Sequence, residues 1–215
     1  MDNILRAKCT IIFLLTSLAT LAHSTEVNTL TGQVIKNQLG GEPIARVQVF
    51  SPDASAPKVT DNFGGFTLTF PQLSPGDQTQ ILAKKTGWVV VNDLQINRFI
   101  LPKHSQSPNV TILLAKSEER DKWAMLYYRV KGESVVEALY QAKLLALEKQ
   151  HKNSAEAIRL LQRERDQAKK QVDQLAKELA QIKPQEADND YQHAMQLFLD
   201  NQLEAALLVL DEKKL

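Results

Sequence analysis

The sequence predicts a mainly β then α protein, in which a seven-stranded β-sandwich is followed by a helical segment with a coiled coil and then by a helix-turn-helix tail. Residues 25–115 hold seven of the eight glycines and seven of the eight prolines, which punctuate short strands. Charge is distributed in the opposite way. Only 13 of these 91 residues are Lys, Arg, Asp or Glu, against 26 of the 68 residues in 116–183, as expected for solvated helices.

Residues 1–24 have the pattern of a secretory signal peptide. Arg6 and Lys8 precede an apolar run over 11–22, and small residues at its end suit cleavage before Thr25. The run is shorter than the roughly 20 residues that a membrane-spanning helix needs. We therefore predict an exported protein, periplasmic or secreted, with no membrane span after cleavage of the signal.

The remaining composition argues against several classes of function. The single cysteine, Cys9, lies in the signal segment, and the formal net charge of +1 does not suit nucleic-acid binding. His104, His151 and His193 lie more than 40 residues apart, and no metalloprotease, serine-hydrolase or phosphate-loop motif occurs. We predict a protein that is not an enzyme, with no catalytic residue, no metal site and no cofactor.

Seven short runs within 25–115 are predicted as strands. In the run from 65 to 70, Phe66, Leu68 and Phe70 alternate with Thr67 and Thr69, which indicates one buried and one solvated face. The seven runs cover 30–35, 45–50, 65–70, 80–84, 88–91, 96–101 and 110–115. Strands of this length and spacing are typical of a sandwich.

Four motifs in this region carry a family resemblance. The first is a Gly-x-Val at 31–34, and the second is a Gly-x-Pro-Ile stretch ending in Val at 41–49. The third is a Thr-Asp turn followed by Gly and Phe at 60–68, and the fourth is a Gly-Trp pair at 87–88. Their order resembles the carboxypeptidase regulatory-like domain, which implies a transthyretin-like fold over about 85 residues and an accessory module without catalysis. Arg46 stands where the family has a small residue, and Trp88 stands where it has Tyr.

The same fold is similar to starch-binding-like domains, which implies carbohydrate binding as an alternative function. Trp88 would offer an aromatic platform, and Asn92 and Asp93 would offer hydrogen-bonding groups beside it. The competing interpretation is that Trp88 packs at the edge of the sandwich in place of the family's Tyr.

Residues 116–183 are predicted to be helical. Gly132 is expected to end a first helix, and Ser134 with Glu137 forms a capping box that begins a second one. Asn153 with Glu156 offers a cap for a third. A helical hairpin and a bent long helix both fit this pattern.

A heptad pattern over 158–182 predicts a coiled coil. Its seam residues follow an alternating spacing of three and four, and seven of the eight are apolar: Ile158, Leu161, Arg165, Ala168, Val172, Leu175, Leu179 and Ile182. Glu164 with Lys169, and Glu178 with Lys183, would attract across a parallel dimer. We predict a parallel homodimer, with packing of the seam on the preceding helix of the same chain as the alternative.

The tail, residues 184–215, resembles a tetratricopeptide-type helix-turn-helix. Ala194, Leu197, Leu203, Ala206 and Leu210 match its packing positions, although the signature Trp is absent. One such unit cannot bury its apolar face alone. The tail is therefore expected to dock on the preceding helices or on a partner, or else the chain is a truncated form of a longer repeat protein.

Together these features predict an exported scaffold or protein-interaction protein with a partner that the sequence does not identify. The alternatives are a carbohydrate-binding module and the accessory N-terminal part of a longer enzyme or repeat protein.

Overall fold

The computed structural model describes residues 28–102, 110–150, 154–182, 189–200 and 202–212. Short strands occupy the first part of this range and helices occupy the rest, which confirms the prediction of a mainly β then α chain. The predicted signal segment with Cys9 lies outside the described residues, as do His104 and His151. None of the helices in the described ranges is long and apolar enough to cross a membrane.

Nine short strands form three sheets within the described residues. The strands are β1 Asn28–Lys36, β2 Gln48–Phe50, β3 Lys58–Val59, β4 Gly65–Phe70, β5 Gln78–Thr79, β6 Leu82–Lys84, β7 Val89–Val90, β8 Phe99–Ile100 and β9 Val110–Ala115. The four-stranded sheet has the order β4-β1-β9-β7, the three-stranded sheet has the order β3-β2-β6, and β5 pairs with β8. Strand β1 runs antiparallel to β4 and parallel to β9.

The predicted set of seven strands is wrong in detail. The run 96–101 begins on a short helix, α1 Asp93–Asn97, and only Phe99–Ile100 is a strand. Strands β3 and β5 were not predicted. Leu94 and Ile96 are both buried, but Leu94 packs with the helices that follow and Ile96 packs among the strands. Residues two apart point to roughly opposite sides of a helix, so this spacing fits the helical turn as well as it fits a strand.

The turn between β3 and β4 is closed by Asp61, the acidic residue of the Thr-Asp motif. Asp61 Oδ1 accepts hydrogen bonds from the backbone N–H groups of Phe63 and Gly65, each at 2.8 Å. Gly64 has a φ of 72°, a left-handed conformation that favours glycine. The turn orients β4 so that Phe66, Leu68 and Phe70 are buried.

The β unit, residues 28–115, has its own apolar core. Side chains from the four-stranded and three-stranded sheets and from the segments around α1 meet there: Leu30, Val34, Ile44, Val47, Val49, Phe66, Leu68, Phe70, Ile81, Ile96, Leu101, Val110, Ile112 and Leu114. Because both sheets contribute to one core, the β unit is held together by burial as well as by strand pairing.

Four longer helices follow the β unit after a single 3₁₀ turn at Ser117–Glu119. They are α2 Arg120–Lys149, α3 Ala155–Gln181, α4 Asn189–Leu199 and α5 Leu203–Glu212. Ser154 caps α3, since its Oγ accepts a hydrogen bond from the Ala157 N–H at 3.2 Å. Ion pairs join Lys143 to Glu164 and Glu137 to Lys169, in the order of an antiparallel α2–α3 hairpin.

The predicted helix break at Gly132 is wrong, because α2 continues through Gly132 and Ser134. The physical reason lies in packing. A Cβ on Gly132 would lie 2.6 Å from Val172 Cγ1 and 2.7 Å from Phe198 Cζ. Gly132 therefore lets α3 and α4 approach α2 closely, and Ser134 caps nothing.

A second core joins the helices to the β unit. It contains Tyr128 and Val136 of α2, Val172 and Leu175 of α3, and Phe198 of α4. It also contains side chains of the β unit, namely Ile35, Val91, Leu94, Leu113 and Ala115. The α4–α5 pair packs into this core through Ala194, Met195, Phe198, Leu203, Ala206 and Leu210. The tail thus docks on the preceding helices, which was one of the expected outcomes.

Candidate functional site

The junction between the β unit and α2 is built on the side chain of Asn92, which precedes α1. Asn92 is fully buried, its Nδ2 donates to the Thr111 carbonyl at 2.8 Å, and its Oδ1 accepts from the Leu113 N–H at 2.9 Å. The side-chain amide thus takes the place of a paired strand at this point, because it donates one hydrogen bond to the backbone of β9 and accepts one from it. Asn92 therefore fixes α1 against β9.

An ion pair between Asp93 and Arg120 crosses this junction. Arg120 Nη2 lies 2.7 Å from Asp93 Oδ2, and the two side chains are only 11% and 9% exposed. The guanidinium also donates to the carbonyl oxygens of Ile182, at 3.0 Å, and Ala180. One side chain thereby connects α1, the start of α2 and the end of α3.

Burial and charge act against each other at this pair. Burial raises the pKa of the Asp93 carboxyl above its ordinary value of 3.8, although the charge and hydrogen bond of Arg120 act in the opposite direction. Burial lowers the pKa of Arg120, but the charge and hydrogen bond of Asp93 outweigh this effect and the pKa is raised. Arg120 is thus a permanent cation, and Asp93 is the group that can titrate.

A cavity of about 560 Å³ opens beside the pair. Its walls come from β6, β7, α1 and the first turn of α2, and include Trp88, Asp93 and Arg120. Trp88 is half-buried against the β core, and Lys116 Nζ lies 4.5 Å from the centre of its ring. Because Lys116 covers one face of the ring, a ligand that stacks on that face would have to displace it.

The structure brings together two of the three predicted carbohydrate contacts. Trp88 and Asp93 line the cavity, whereas Asn92 is buried and its amide is engaged with β9. Sequence reasoning missed Arg120. Its partner Asp93 lies 27 residues away, and no local pattern links a helix-starting Arg to a particular distant carboxylate.

The predicted coiled-coil seam packs within the chain. Leu161, Val172, Leu175, Leu179 and Ile182 are buried. Ala168 packs against the second core, and Ile158 and Arg165 are half-buried. Val172, Leu175, Leu179 and Ile182 share the second core with side chains of α2, α4 and α5, so this part of the seam packs within the chain, as the alternative expected for α2. The homodimer stays a prediction. Five of the eight predicted seam residues are therefore buried within the chain, and the other three are partly exposed.

A second candidate site is the hairpin tip, which we define as residues 137–149 of α2 and 155–167 of α3. Among the described residues, none of the hairpin tip belongs to either core. Leu139, Leu145 and Leu160 are 41%, 51% and 57% exposed there. The tip therefore lies outside both cores and exposes three leucines to solvent, although Leu161 of the tip is buried.

Comparison with protein-family models, with curated proteins and with solved structures found no significant match. The resemblances to the carboxypeptidase regulatory-like domain and to the tetratricopeptide motif therefore stay hypotheses that rest on the motifs themselves.

Proposed function

We propose that this chain is an exported, non-enzymatic scaffold or interaction protein that presents its hairpin tip to a protein partner. The observation that carries the proposal is the exposure of Leu139, Leu145 and Leu160 on the hairpin tip, outside both cores. Burying one leucine side chain is worth about 1.5–3 kcal/mol. A partner that covers these leucines would recover that free energy.

The geometry of the hairpin supports this role. The Lys143–Glu164 pair, at 2.9 Å, joins the two helices of the tip. At the other end, Arg120 connects the start of α2 to the end of α3 and to Asp93 of the β unit. A hairpin tied at both places keeps a fixed direction relative to the β unit. Preorganisation of this kind reduces the entropic cost of binding.

The finer assignments belong to the same proposal. The β unit would be a carboxypeptidase regulatory-like, transthyretin-like module, supported by its motif order and by the Asp61–Gly64 turn. The α4–α5 pair would be a tetratricopeptide-like unit, supported by the fully buried Ala194 and Ala206. Export to the periplasm or outside the cell is supported by the signal pattern of residues 1–24.

Site-specific photo-crosslinking in cells that export the protein tests the proposal. A photoreactive amino acid replaces Leu145 or Leu160, and Thr67, exposed on β4, serves as the control position. We expect adducts of increased mass from the hairpin positions and none from Thr67. Adducts confined to Thr67, or no adducts at any position, would contradict the proposed role of the hairpin tip.

A second candidate function is carbohydrate binding at the cavity beside Trp88. The specific observation is that Trp88 and Asp93 share this cavity with the side-chain amides of Gln80, Asn97 and Gln181. Gln80 donates to Asn97, so sugar hydroxyls would bond to Gln181 and to the remaining groups of that amide pair. Glycan-array binding of the unaltered protein and of Trp88→Ala tests it, with Phe63→Ala as the matched control because Phe63 is an exposed aromatic outside the cavity. Binding that Trp88→Ala abolishes and Phe63→Ala leaves intact supports this candidate, and no binding by the unaltered protein removes it.

A further inference from the structure

Helix α2 has a second apolar face, which we call the outer face and define as Ala138, Leu139, Ala142, Leu145 and Ala146. All five residues are exposed, and the two leucines are 41% and 51% exposed. Their spacing of three and four places them on one side of the helix. Leu139, at one edge of the face, also borders a cavity that Ala168 of α3 and Leu203 of α5 line, and the other four residues lie outside that cavity.

The opposite side of α2 is the side that packs on α3. Val136 is buried in the second core, and Arg165 of α3 lies 4.8 Å from the centre of the Tyr140 ring. At 3.6 residues per turn, Ala142 lies about 160° around the helix from Tyr140. A surface helix with one neighbour needs a single apolar stripe. The second stripe on α2 therefore requires a different explanation.

The sequence of the outer face has two-fold symmetry about Ala142. Leu139 and Leu145 each lie three residues from Ala142, while Ala138 and Ala146 each lie four residues from it. A two-fold dimer uses the same patch on both copies, so such a patch must be complementary to itself. In an antiparallel pair crossing at Ala142, Leu139 of each copy would meet Leu145 of the other, and Ala142 would meet its own counterpart.

The chemistry around the face fits this arrangement. Alanine at the crossing point permits a short distance between helix axes, and leucines on either side fill the space. Lys143 flanks the centre of the face, but Glu164 of the same chain holds its ammonium group at 2.9 Å. The face itself carries no charge and is bounded at one end by Lys149. An apolar centre with a charged rim is the usual anatomy of an interface.

We propose that the outer face of α2 is a homodimer surface, in which two copies of this chain pack antiparallel across Ala142. The inference rests on the proposed interaction role of the hairpin tip and assigns a second copy to its α2 side, whereas Leu160 on the α3 side lies outside this surface. One helix pair of this length buries less than the roughly 1,200 Å² of a standard interface, so the dimer is weak and concentration-dependent.

Disulfide trapping tests the register directly. With Cys9→Ser in the background, Ala142→Cys is the only thiol, and mild oxidation should yield a covalent dimer because the residue faces its own counterpart. Ala138→Cys should remain monomeric. In this register it lies about 12 Å along the helix from its counterpart, whereas a disulfide joins Cβ atoms about 3.8 Å apart. Leu160→Cys, exposed on α3, is the matched control and should also remain monomeric.

Three outcomes are decisive. Rapid dimerisation of Ala142→Cys alone supports the proposal. Equal rates for Ala142→Cys and Leu160→Cys would indicate random collision and would overturn it, as would a monomeric Ala142→Cys. If Ala142→Cys stays monomeric while the photoreactive hairpin positions capture another protein, the dimer fails and the proposed function stands.

Sedimentation provides an independent measurement. The unaltered protein should increase in average mass with concentration, and Ala142→Glu should abolish that increase by placing two carboxylates at the two-fold axis. Far-UV circular dichroism should remain unchanged, because Ala142 is exposed in the single chain. A concentration-independent mass for the unaltered protein would overturn the proposal.

Discussion

The guanidinium of Arg120 lies 2.7 Å from the Asp93 carboxylate and, through the same Nη2, 3.0 Å from the carbonyl oxygen of Ile182. These contacts tie the first residue of α2 to the β unit and to the residue that follows α3. A single side chain thus closes the base of the hairpin. It also fixes the direction in which the hairpin leaves the β unit.

The Asp93–Arg120 pair should behave as a coupled unit in unfolding experiments. Arg120→Met leaves a buried carboxylate without its cation and should lower the free energy of unfolding by about 3–5 kcal/mol. Asp93→Leu should have a cost of similar size. The double variant should lose clearly less unfolding free energy than the two single variants lose together, because it has no unpaired buried charge. Urea denaturation of the four proteins measures this, and additive losses would mean that the two side chains act independently.

The stability contribution of Asp93 should depend on pH. Its pKa in the folded protein lies above the ordinary value of 3.8, so the folded state binds this proton more tightly than the unfolded state does. The contribution is therefore fully present below pH 3.8 and is lost as pH rises through the raised pKa. The difference in unfolding free energy between the unaltered protein and Asp93→Asn should fall across that range. A difference that increases with pH would mean that Arg120 outweighs burial.

Gly132→Ala should destabilise the protein, although alanine favours a helix interior by about 1 kcal/mol. The added Cβ would lie 2.6 Å from Val172 and 2.7 Å from Phe198, so overpacking should cost about 1–3 kcal/mol beyond that gain. Thermal unfolding measures the loss, and Phe198→Leu in the same chain should recover part of it. Ser134→Ala, exposed on the same helix, is the control and should be neutral or slightly stabilising. A loss of about 1 kcal/mol there would mean that Ser134 does cap a helix.

Asn92→Ala should destabilise the β unit by several kcal/mol. It would leave the buried Leu113 N–H and the half-buried Thr111 carbonyl unpaired, at about 1–3 kcal/mol for a fully buried group. Asn97→Ala is a suitable comparison, since Asn97 is half-buried at the edge of the cavity. Hydrogen exchange should show faster exchange of the Leu113 amide in Asn92→Ala only. Unchanged protection would mean that water replaces the lost amide.

The sequence predicted what depends on local periodicity. Phe66, Leu68 and Phe70 alternate in a strand, and Leu161, Val172 and Leu175 recur at helical spacing, so their burial could be predicted. The elements that cover these side chains could not be predicted, because a heptad pattern is the same whether a second chain or the same chain packs on it.

Distant contacts explain the remaining errors. From its neighbours in the sequence, Gly132 is predicted to end a helix. The close approach of Val172 and Phe198 explains why α2 has a glycine at this position. The Asp93–Arg120 pair depends on the folding of α1 and α2 against each other, and no spacing rule encodes that. Asn92 was likewise predicted as a carbohydrate contact, because its bonds to Thr111 and Leu113 depend on the fold and not on its neighbours in the sequence.

The parallel pairing of β1 with β9 has a consequence for how the chain folds during synthesis. Gly32 pairs with Val110, so the central ladder of the four-stranded sheet joins residues 78 positions apart. Such contacts have a high loop-closure cost and form slowly. An emerging chain that ends before Val110 leaves one side of β1 unpaired, and the core that contains Leu30 and Val34 then lacks Ile112 and Leu114. The β unit can therefore close only after its last strand has been made, and until then the nascent chain exposes an aggregation-prone strand edge.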